Sequence, residues 1–392
     1  VTDSTIEIRS PLYAGFTLGF IGGGQLARMS ALQAFRFGMN VAVYASSKST
    51  EPVEFMTSTV VRGALHDEDK LVEFASKCDL ITLENEFLDS AILKNVERRS
   101  GKKIFPHPDS FSLIEDKLIE KQTFKKAGIP VTPYAKLEHP EDLEAFGGTY
   151  GWPYVIKSAK GGYDGYGNAT VANMDEAVVA WTKLGGQRGK VILAEAFVPY
   201  TMELAVMVAR NGTGTVVYPC VESIQENHIC KEVIVPARIP EALQVQAQEL
   251  AIAAVDAIDG IGVFGIEFFL THDNQILLNE SAPRPHNSGH YTIEGCVTSQ
   301  FENHVRAVCG LSLGSTDMIA PVAVMINILG TQNGAAKVMH ADEVLRSKHA
   351  NLHIYGKTNS KIGRKMGHLT LLGSDLDDTL NKARLMAKKI EI

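Results

Sequence analysis

Over the first hundred residues, short apolar and β-branched runs alternate with stretches of helical spacing. Residues 16–21 and 41–44 read as strands, 25–37 as the helix between them, and 80–83 as a further strand after a helix near 69–77. That alternation is the signature of parallel βαβ units. Pro106 and Pro108 then interrupt it, and Asp109 or Ser110 is placed to cap a charged helix over 115–127. From 153 to about 310 strands dominate, at 154–158, 169–171, 191–195, 204–209, 216–218, 263–270 and 275–279, with one helix over 242–258. The last stretch adds strands at 322–329, 353–355 and 367–372, a helix near 341–348 and a terminal helix from Asp375. The pattern predicts an α/β and α+β protein of three domains, residues 1–110, 111–310 and 311–392, the third too small to be an independent enzyme.

Composition narrows the class. The chain has 392 residues, 45% hydrophobic and 21% charged, the balance of a globular protein. A formal charge of −7 repels a phosphate backbone, so nucleic acid is not expected as a partner. The five cysteines (Cys78, Cys220, Cys230, Cys296, Cys309) contain no C-x-x-C pair, which disfavours a zinc ribbon or disulfide framework and fits a reducing cytoplasm. The first residues lack the basic start and apolar stretch of a secretory signal. The longest apolar run, near 319–329, is about half of the ~20 residues that a membrane span requires, so no membrane contact is expected.

Five stretches carry candidate chemistry. Gly22-Gly23-Gly24-Gln25-Leu26-Ala27 follows a strand and opens a helix, the G-x-G-x-x-[GA] pattern in which backbone N–H groups approach a phosphate. No acidic residue ends the second strand, which reads Tyr44-Ala45-Ser46-Ser47-Lys48; NAD is disfavoured, and Ser46 with Lys48 leaves an NADP-dependent oxidoreductase as an alternative. A tight turn alone also accounts for these glycines. The second stretch, Lys160 to Gly167, lies between two strands and reads as a glycine-rich hairpin flap over a triphosphate, with Lys157 on the preceding strand. It is no P-loop, and at Gly356-Lys357-Thr358 Asn351 stands where a P-loop needs its first glycine.

In the third, two apolar strands joined by residues 271–274 are interrupted by Glu267 and Glu280. If Leu270 pairs with Gln275, Glu267 lies opposite Leu278 and Glu280 projects from the same face one diagonal away. Two carboxylates in apolar strands are costly unless a divalent cation binds them, so magnesium is expected. The fourth, Ser281 to His290, is dense in hydrogen-bonding groups. Pro283, Pro285 and Gly289 rule against a zinc helix through His286 and His290, leaving substrate contact or a self-satisfied rigid loop. The fifth, a turn carrying Lys357, Lys361, Arg364 and Lys365, is either a solvated face or a site for a small phosphate ester.

Together Gly22-Gly23-Gly24-Gln25-Leu26, Gly161-Gly162-Tyr163-Asp164-Gly165, Asn279-Glu280 with Ala282 to His290, and Gly363-Arg364-Lys365 with Gly367-His368 resemble the ATP-grasp superfamily. Within it they are similar to the 5-(carboxyamino)imidazole ribonucleotide synthases, the ATPase partners in phosphoribosylaminoimidazole carboxylase, from about Gly15 to the C-terminus. The resemblance implies a Rossmann-like N-terminal domain, a central ATP-grasp domain, a small β-rich C-terminal domain that completes the ribonucleotide site, and a cytoplasmic homodimer. The implied reaction is ligation: ATP phosphorylates bicarbonate, carboxyphosphate breaks down in a closed site, and the exocyclic amine of aminoimidazole ribonucleotide takes up the CO2. Because the chain ends at Ile392 without a mutase domain, a separate mutase is implied.

The same resemblance implies the site residue by residue. Lys117, Lys157, the flap residues Gly162, Tyr163, Asp164, Gly165, Tyr166, Gly167 and Asn168, the hinge Glu195, Ala196, Phe197 and Val198, and Glu203 and Gln225 look like ATP contacts. Asn279 and Glu280 join them, with Glu267 and Glu280 as Mg2+ ligands. Gln25 and Leu26, with Lys357, Arg364 and Lys365, fall to the ribonucleotide and its phosphate, and Asn287 and Ser288 also face it. Arg284, His286 and Glu86, with Glu84 as the alternative to Glu86, face the reacting end, and Asp164 beside Tyr163 is the candidate base. The chain departs from the family pattern at Ala27 (usually glycine), Tyr166 (usually basic), Gln225 (near the place of a histidine), Ser281 (usually aliphatic) and Ala45-Ser46 (commonly Asp-Pro). A non-catalytic nucleotide-binding module is the remaining alternative class.

Overall fold

The computed structural model describes residues 12–47, 49–161, 167–226 and 229–392. Its first unit is a five-stranded parallel sheet, in spatial order Thr59–Gly63, Asn40–Ser46, Thr17–Ile21, Leu80–Leu83, Lys103–Phe105. The predicted βαβ arrangement is therefore present, with two outer strands that the apolar pattern missed because, at the sheet edges, each buries only one residue. The first helix, Gln25–Arg36, leaves the central strand through Gly22, whose φ of +103° suits glycine. Its alanines Ala27, Ala31 and Ala34 let it approach Val305, Val308 and Cys309 at the helix Gln300–Val308, joining this unit to the next. Ala27 in place of glycine is thus a packing residue, 1% exposed.

One expected helix is two. Pro108–Ser112 is a short helix capped by His107, and Lys117–Lys126 starts anew after Asp116, whose carboxylate accepts from the amides of Leu118 and Ile119 at 2.9 and 3.2 Å. Asp109 and Ser110 lie inside the first of these and cap neither.

The centre holds two antiparallel sheets. The smaller runs Tyr134–Leu137, Ile192–Ala196, Tyr154–Ser158, Asn168–Val171. Lys157 pairs with Asn168, so the flap segment does connect two hydrogen-bonded strands, while its tip, residues 162–166, lies outside the described residues. The larger sheet has nine strands among the described residues. Leu204, Val206 and Val208 pack on Ala247, Ala251 and Ala254 of the helix Glu241–Ala257, whose small side chains let strand and helix come close.

The three long C-terminal strands do not form a separate layer. Val322–Leu329 pairs with Ile229–Val235 of the central sheet, and Lys365–Gly373 and Ala350–Ile354 extend it further. The small β-rich unit is therefore continuous with the central one through backbone hydrogen bonds. Among the described residues no helix is long and apolar enough to cross a membrane.

Candidate functional site

A cavity of about 770 Å³ opens between the two central sheets and reaches the loop after Leu80–Leu83. Lys117 comes from the start of its helix, Lys157 and Glu195 from adjacent strands of the small sheet, and Glu267 and Glu280 from the hairpin of the large one. All described residues assigned to the nucleotide border this cavity, including the hinge Glu195 to Val198, Glu203 and Gln225. Gln225 occupies its place by donating to the Ser223 hydroxyl at 3.1 Å.

The carboxylate hairpin is in a different register from the one expected. Leu270 pairs with Ile276 and Phe268 with Leu278, and a bulge at Asn279 brings Glu280 directly opposite Glu267 instead of one diagonal away. An extra residue on one strand re-aims the side chains beyond it, and here it turns two acids onto one spot. Burial and the Glu280 charge push the Glu267 carboxyl up to about 8, while the Lys117 ammonium, 2.9 Å from Glu280, holds that carboxyl down at about 2. Asn279 Oδ1 is buried with no partner among the described residues.

Those features suit a divalent cation: two opposed carboxylates, a spare amide oxygen, and a lysine standing where positive charge is needed. Among the described residues no three His, Cys, Asp or Glu side chains form a cage. Magnesium needs none, since it keeps waters and takes phosphate oxygens alongside one or two carboxylates.

Along the cavity wall runs a second charged network, with Lys121 behind it. The Glu195 carboxylate takes Lys157 at 3.0 Å, the Thr132 hydroxyl at 3.1 Å and Lys121 at 3.5 Å, all on Oε2. Burial pushes its carboxyl up, yet Lys121 and Lys157 outweigh that and hold it at about 2. Burial likewise draws the Lys121 ammonium below its usual range, with Glu195 opposing. Glu120, one residue earlier, accepts from both the amide and the hydroxyl of Ser281, at 2.8 and 2.6 Å, which explains a serine where the family has an aliphatic residue. Lys121, Thr132 and Glu120 do not stand out in the sequence, although Lys117 and Lys121 share a helix face four residues apart.

At the far end of the cavity Arg284 forms a two-pronged ion pair with Glu86, one prong at 2.9 Å. It links the post-hairpin loop to the first sheet. His286 lies 3.5 Å from Glu267; burial and Arg284 lower its imidazole to about 3, so it is neutral and acts as a hydrogen-bonding group at neutral pH. His286 and His290 flank a single 3-10 turn, Asn287–Gly289, as the prolines require. The Asn287 amide is already paired with Asn327 at 2.6 and 3.0 Å, and Ser288 is fully buried away from the cavity.

The proposed ribonucleotide residues divide. Lys365 borders the cavity, whereas Lys357 and Arg364 lie on the neighbouring turn and donate to the Lys365 and Asn359 carbonyls at 2.6 and 2.8 Å. Tyr355, beside that turn, packs with Leu26 and Met29 of the first helix, so the basic turn and the helix start are neighbours. The Leu26 amide points at Glu84 Oε1, 3.4 Å away, and a Cβ on Gly23 or Gly24 would collide with Glu51 or Glu84. Two carboxylates thus occupy the turn where a dinucleotide pyrophosphate would need open N–H groups. Burial, with Glu51 as the next cause, lifts the Glu84 carboxyl to about 7. Tyr163, Asp164, Tyr166, Gly162, Gly165 and Lys48 fall outside the described residues.

Comparison with known proteins agrees with this geometry. Three family profiles match in order: the ribonucleotide synthetase preATP-grasp domain over 16–115, the ATP-grasp domain over 122–301, and the phosphoribosylaminoimidazole carboxylase C-terminal domain over 323–382. The chain is 37% identical over 376 residues to the N5-carboxyaminoimidazole ribonucleotide synthase of Bacillus subtilis, covering 95% of each. It is 40% identical over 371 residues to the phosphoribosylaminoimidazole carboxylase of Ogataea methanolica, a match that takes in 92% of this chain and 67% of the longer relative. Its fold matches the N5-carboxyaminoimidazole synthase of Aspergillus clavatus in complex with ADP and 5-aminoimidazole ribonucleotide, with TM-score 0.85, 35% identity and coverage of 95% and 98% of the two chains.

Proposed function

The chain belongs to the N5-carboxyaminoimidazole ribonucleotide synthase family of ATP-grasp ligases, and from that premise we propose that it carboxylates 5-aminoimidazole ribonucleotide with bicarbonate at the expense of ATP. One observation carries the reading: the lysine-paired carboxylates Glu280 and Glu195, the opposed Glu267 and the Arg284–Glu86 pair surround a single cavity large enough for a nucleotide and a second substrate.

ATP lies between the sheets with its base at the Glu195 to Val198 hinge and its phosphates toward Lys117 and Lys157. On nucleotide binding these ammonium groups turn from Glu280 and Glu195 to the transferring phosphoryl group, whose charge they offset. Glu267, Glu280 and Asn279 would hold Mg2+, which supplies further neutralisation of the phosphates when bound. Bicarbonate attacks the γ-phosphoryl group; the carboxyphosphate formed breaks down where water is excluded, and the exocyclic amine captures CO2. Arg284, fixed by Glu86, and the neutral His286 orient the acceptor and the carboxyl group, and Asp164 takes the amine proton. The ribonucleotide phosphate falls to the turn of Lys357, Arg364 and Lys365, the helix start at Gln25 and Leu26 faces the rest of the ribonucleotide, and Asn287 borders the cavity with Ser288 buried behind it as support. The proposal extends to a homodimer, a mutase activity that takes up the product, and a cytoplasmic location, which five buried unpaired cysteines support.

The chemical route is tested with 18O-labelled bicarbonate. Transfer of one label into inorganic phosphate during turnover is expected; phosphate free of label while product forms would reject phosphorylation of bicarbonate.

A further inference from the structure

Lys121 does not border the cavity, and its side chain is 1% exposed. A lysine buried to this degree must be paired, and its partners are unusually complete: it donates to the Thr132 hydroxyl at 2.9 Å and the Leu278 carbonyl at 3.3 Å, and faces Glu195 Oε2 at 3.5 Å. The Thr132 hydroxyl in turn donates a hydrogen bond to the same Oε2 at 3.1 Å. All the partners of Glu195 therefore gather on one oxygen. The other, Oε1, is buried and has none among the described residues, although Glu195 stands on the cavity wall at the hinge.

Lys157 and Lys121 are not equivalent supports. Lys157 retains 14% of its side chain open to the cavity and is the one that a triphosphate recruits, whereas Lys121 is pinned at both Thr132 and Leu278. When Lys157 turns to the ligand, Glu195 is left as a buried carboxylate with Lys121 as its remaining ammonium partner among the described residues. A buried charge that loses its partner is strongly destabilising, so nucleotide binding without Lys121 would strand that charge. With Lys121 present, Glu195 stays ionised and acceptor-only, and its unpartnered Oε1 is the acceptor left over for a donor brought to the hinge. A purine with an exocyclic amino group at that edge supplies an N–H; a 6-oxo purine presents a second acceptor and is repelled.

We propose that Lys121 is a positioning residue for the nucleotide, acting through Glu195 to hold one carboxylate oxygen as the acceptor for the amino group of the base and to free Lys157 for the phosphates. This rests on the nucleotide reading of the cavity. The test is steady-state kinetics of Lys121→Met with ATP and GTP, beside wild type and the Glu195→Gln and Lys121→Met/Glu195→Gln variants. The expected result is an ATP KM raised about tenfold or more, kcat at saturating ATP changed about threefold or less, and a reduced preference for ATP over GTP. In the Glu195→Gln background the same substitution should shift the ATP KM by less than about twofold, since the charge it serves is gone. An unchanged ATP KM and ATP/GTP ratio, or effects that add fully to those of Glu195→Gln, would overturn the inference while leaving the nucleotide site intact. Failure of ATP to saturate the wild type would overturn both. Should Lys121→Met not fold, Thr132→Val is measured instead: a roughly threefold rise in ATP KM with a lower ATP/GTP ratio supports the role, and an unmoved ratio overturns it.

Discussion

Two pairs of acids in this molecule, enclosed to different degrees, contain the same residue type and behave in opposite ways. On the nucleotide wall Glu280 and Glu195 each sit against lysine ammonium groups and stay ionised, both held near 2. At the start of the first helix Glu84 and Glu51 lie around Gly23 and Gly24 with no lysine in hydrogen-bonding contact among the described residues, and Glu84 is lifted to about 7. The difference is one of cation supply. Lysine pairing preorganises the first region for a polyanion, because the ammonium groups are already desolvated and need only change partners. The second region offers carboxylates to N–H and O–H donors, and suits a ribose or an amine better than a phosphate.

The sharpest way to break this contrast is to remove the acid that joins lysine and metal site. Glu280→Gln leaves Lys117 without its counter-charge and halves the opposed carboxylate pair, so ADP formation should fall about 100-fold or more with the fold retained. A loss below about tenfold would show that Glu280 does no more than neutralise Lys117.

A smaller effect sharpens the other side. The Glu84 carboxyl is raised from an ordinary 4.5 to about 7, so the folded chain keeps a proton that the unfolded chain releases. The stability from that proton is whole below about 4.5 and is lost as pH rises through about 7. Glu84→Gln keeps the neutral shape, and its melting temperature should exceed that of wild type by a few degrees at pH 8 and match it at pH 4. Equal melting temperatures at both values would show that Glu84 is ionised in the fold at no cost.

The two regions also differ in how far they can be read from the chain. The hairpin acids are visible because charge inside apolar strands has no bland explanation, and period-two alternation puts them on one face. Their direct opposition is not visible: it depends on a bulge at Asn279, which leaves no mark in composition. The Glu51–Glu84 pairing needs residues 33 positions apart, in a loop and after a strand, to meet at one helix start. The continuous sheet is hidden for a similar reason, since Val233 pairs with Met325 across a long intervening segment. Lys121 is legible in part, by its spacing from Lys117, but only burial separates it from an ordinary solvated lysine.

The most direct test of the central claim is ADP release with Mg-ATP and bicarbonate, with and without 5-aminoimidazole ribonucleotide. Strong stimulation by the ribonucleotide, with an acid-labile carbamate formed in step with ADP, is the predicted result. ADP release that ignores the ribonucleotide would contradict it and assign the Arg284 end of the cavity to a different amine.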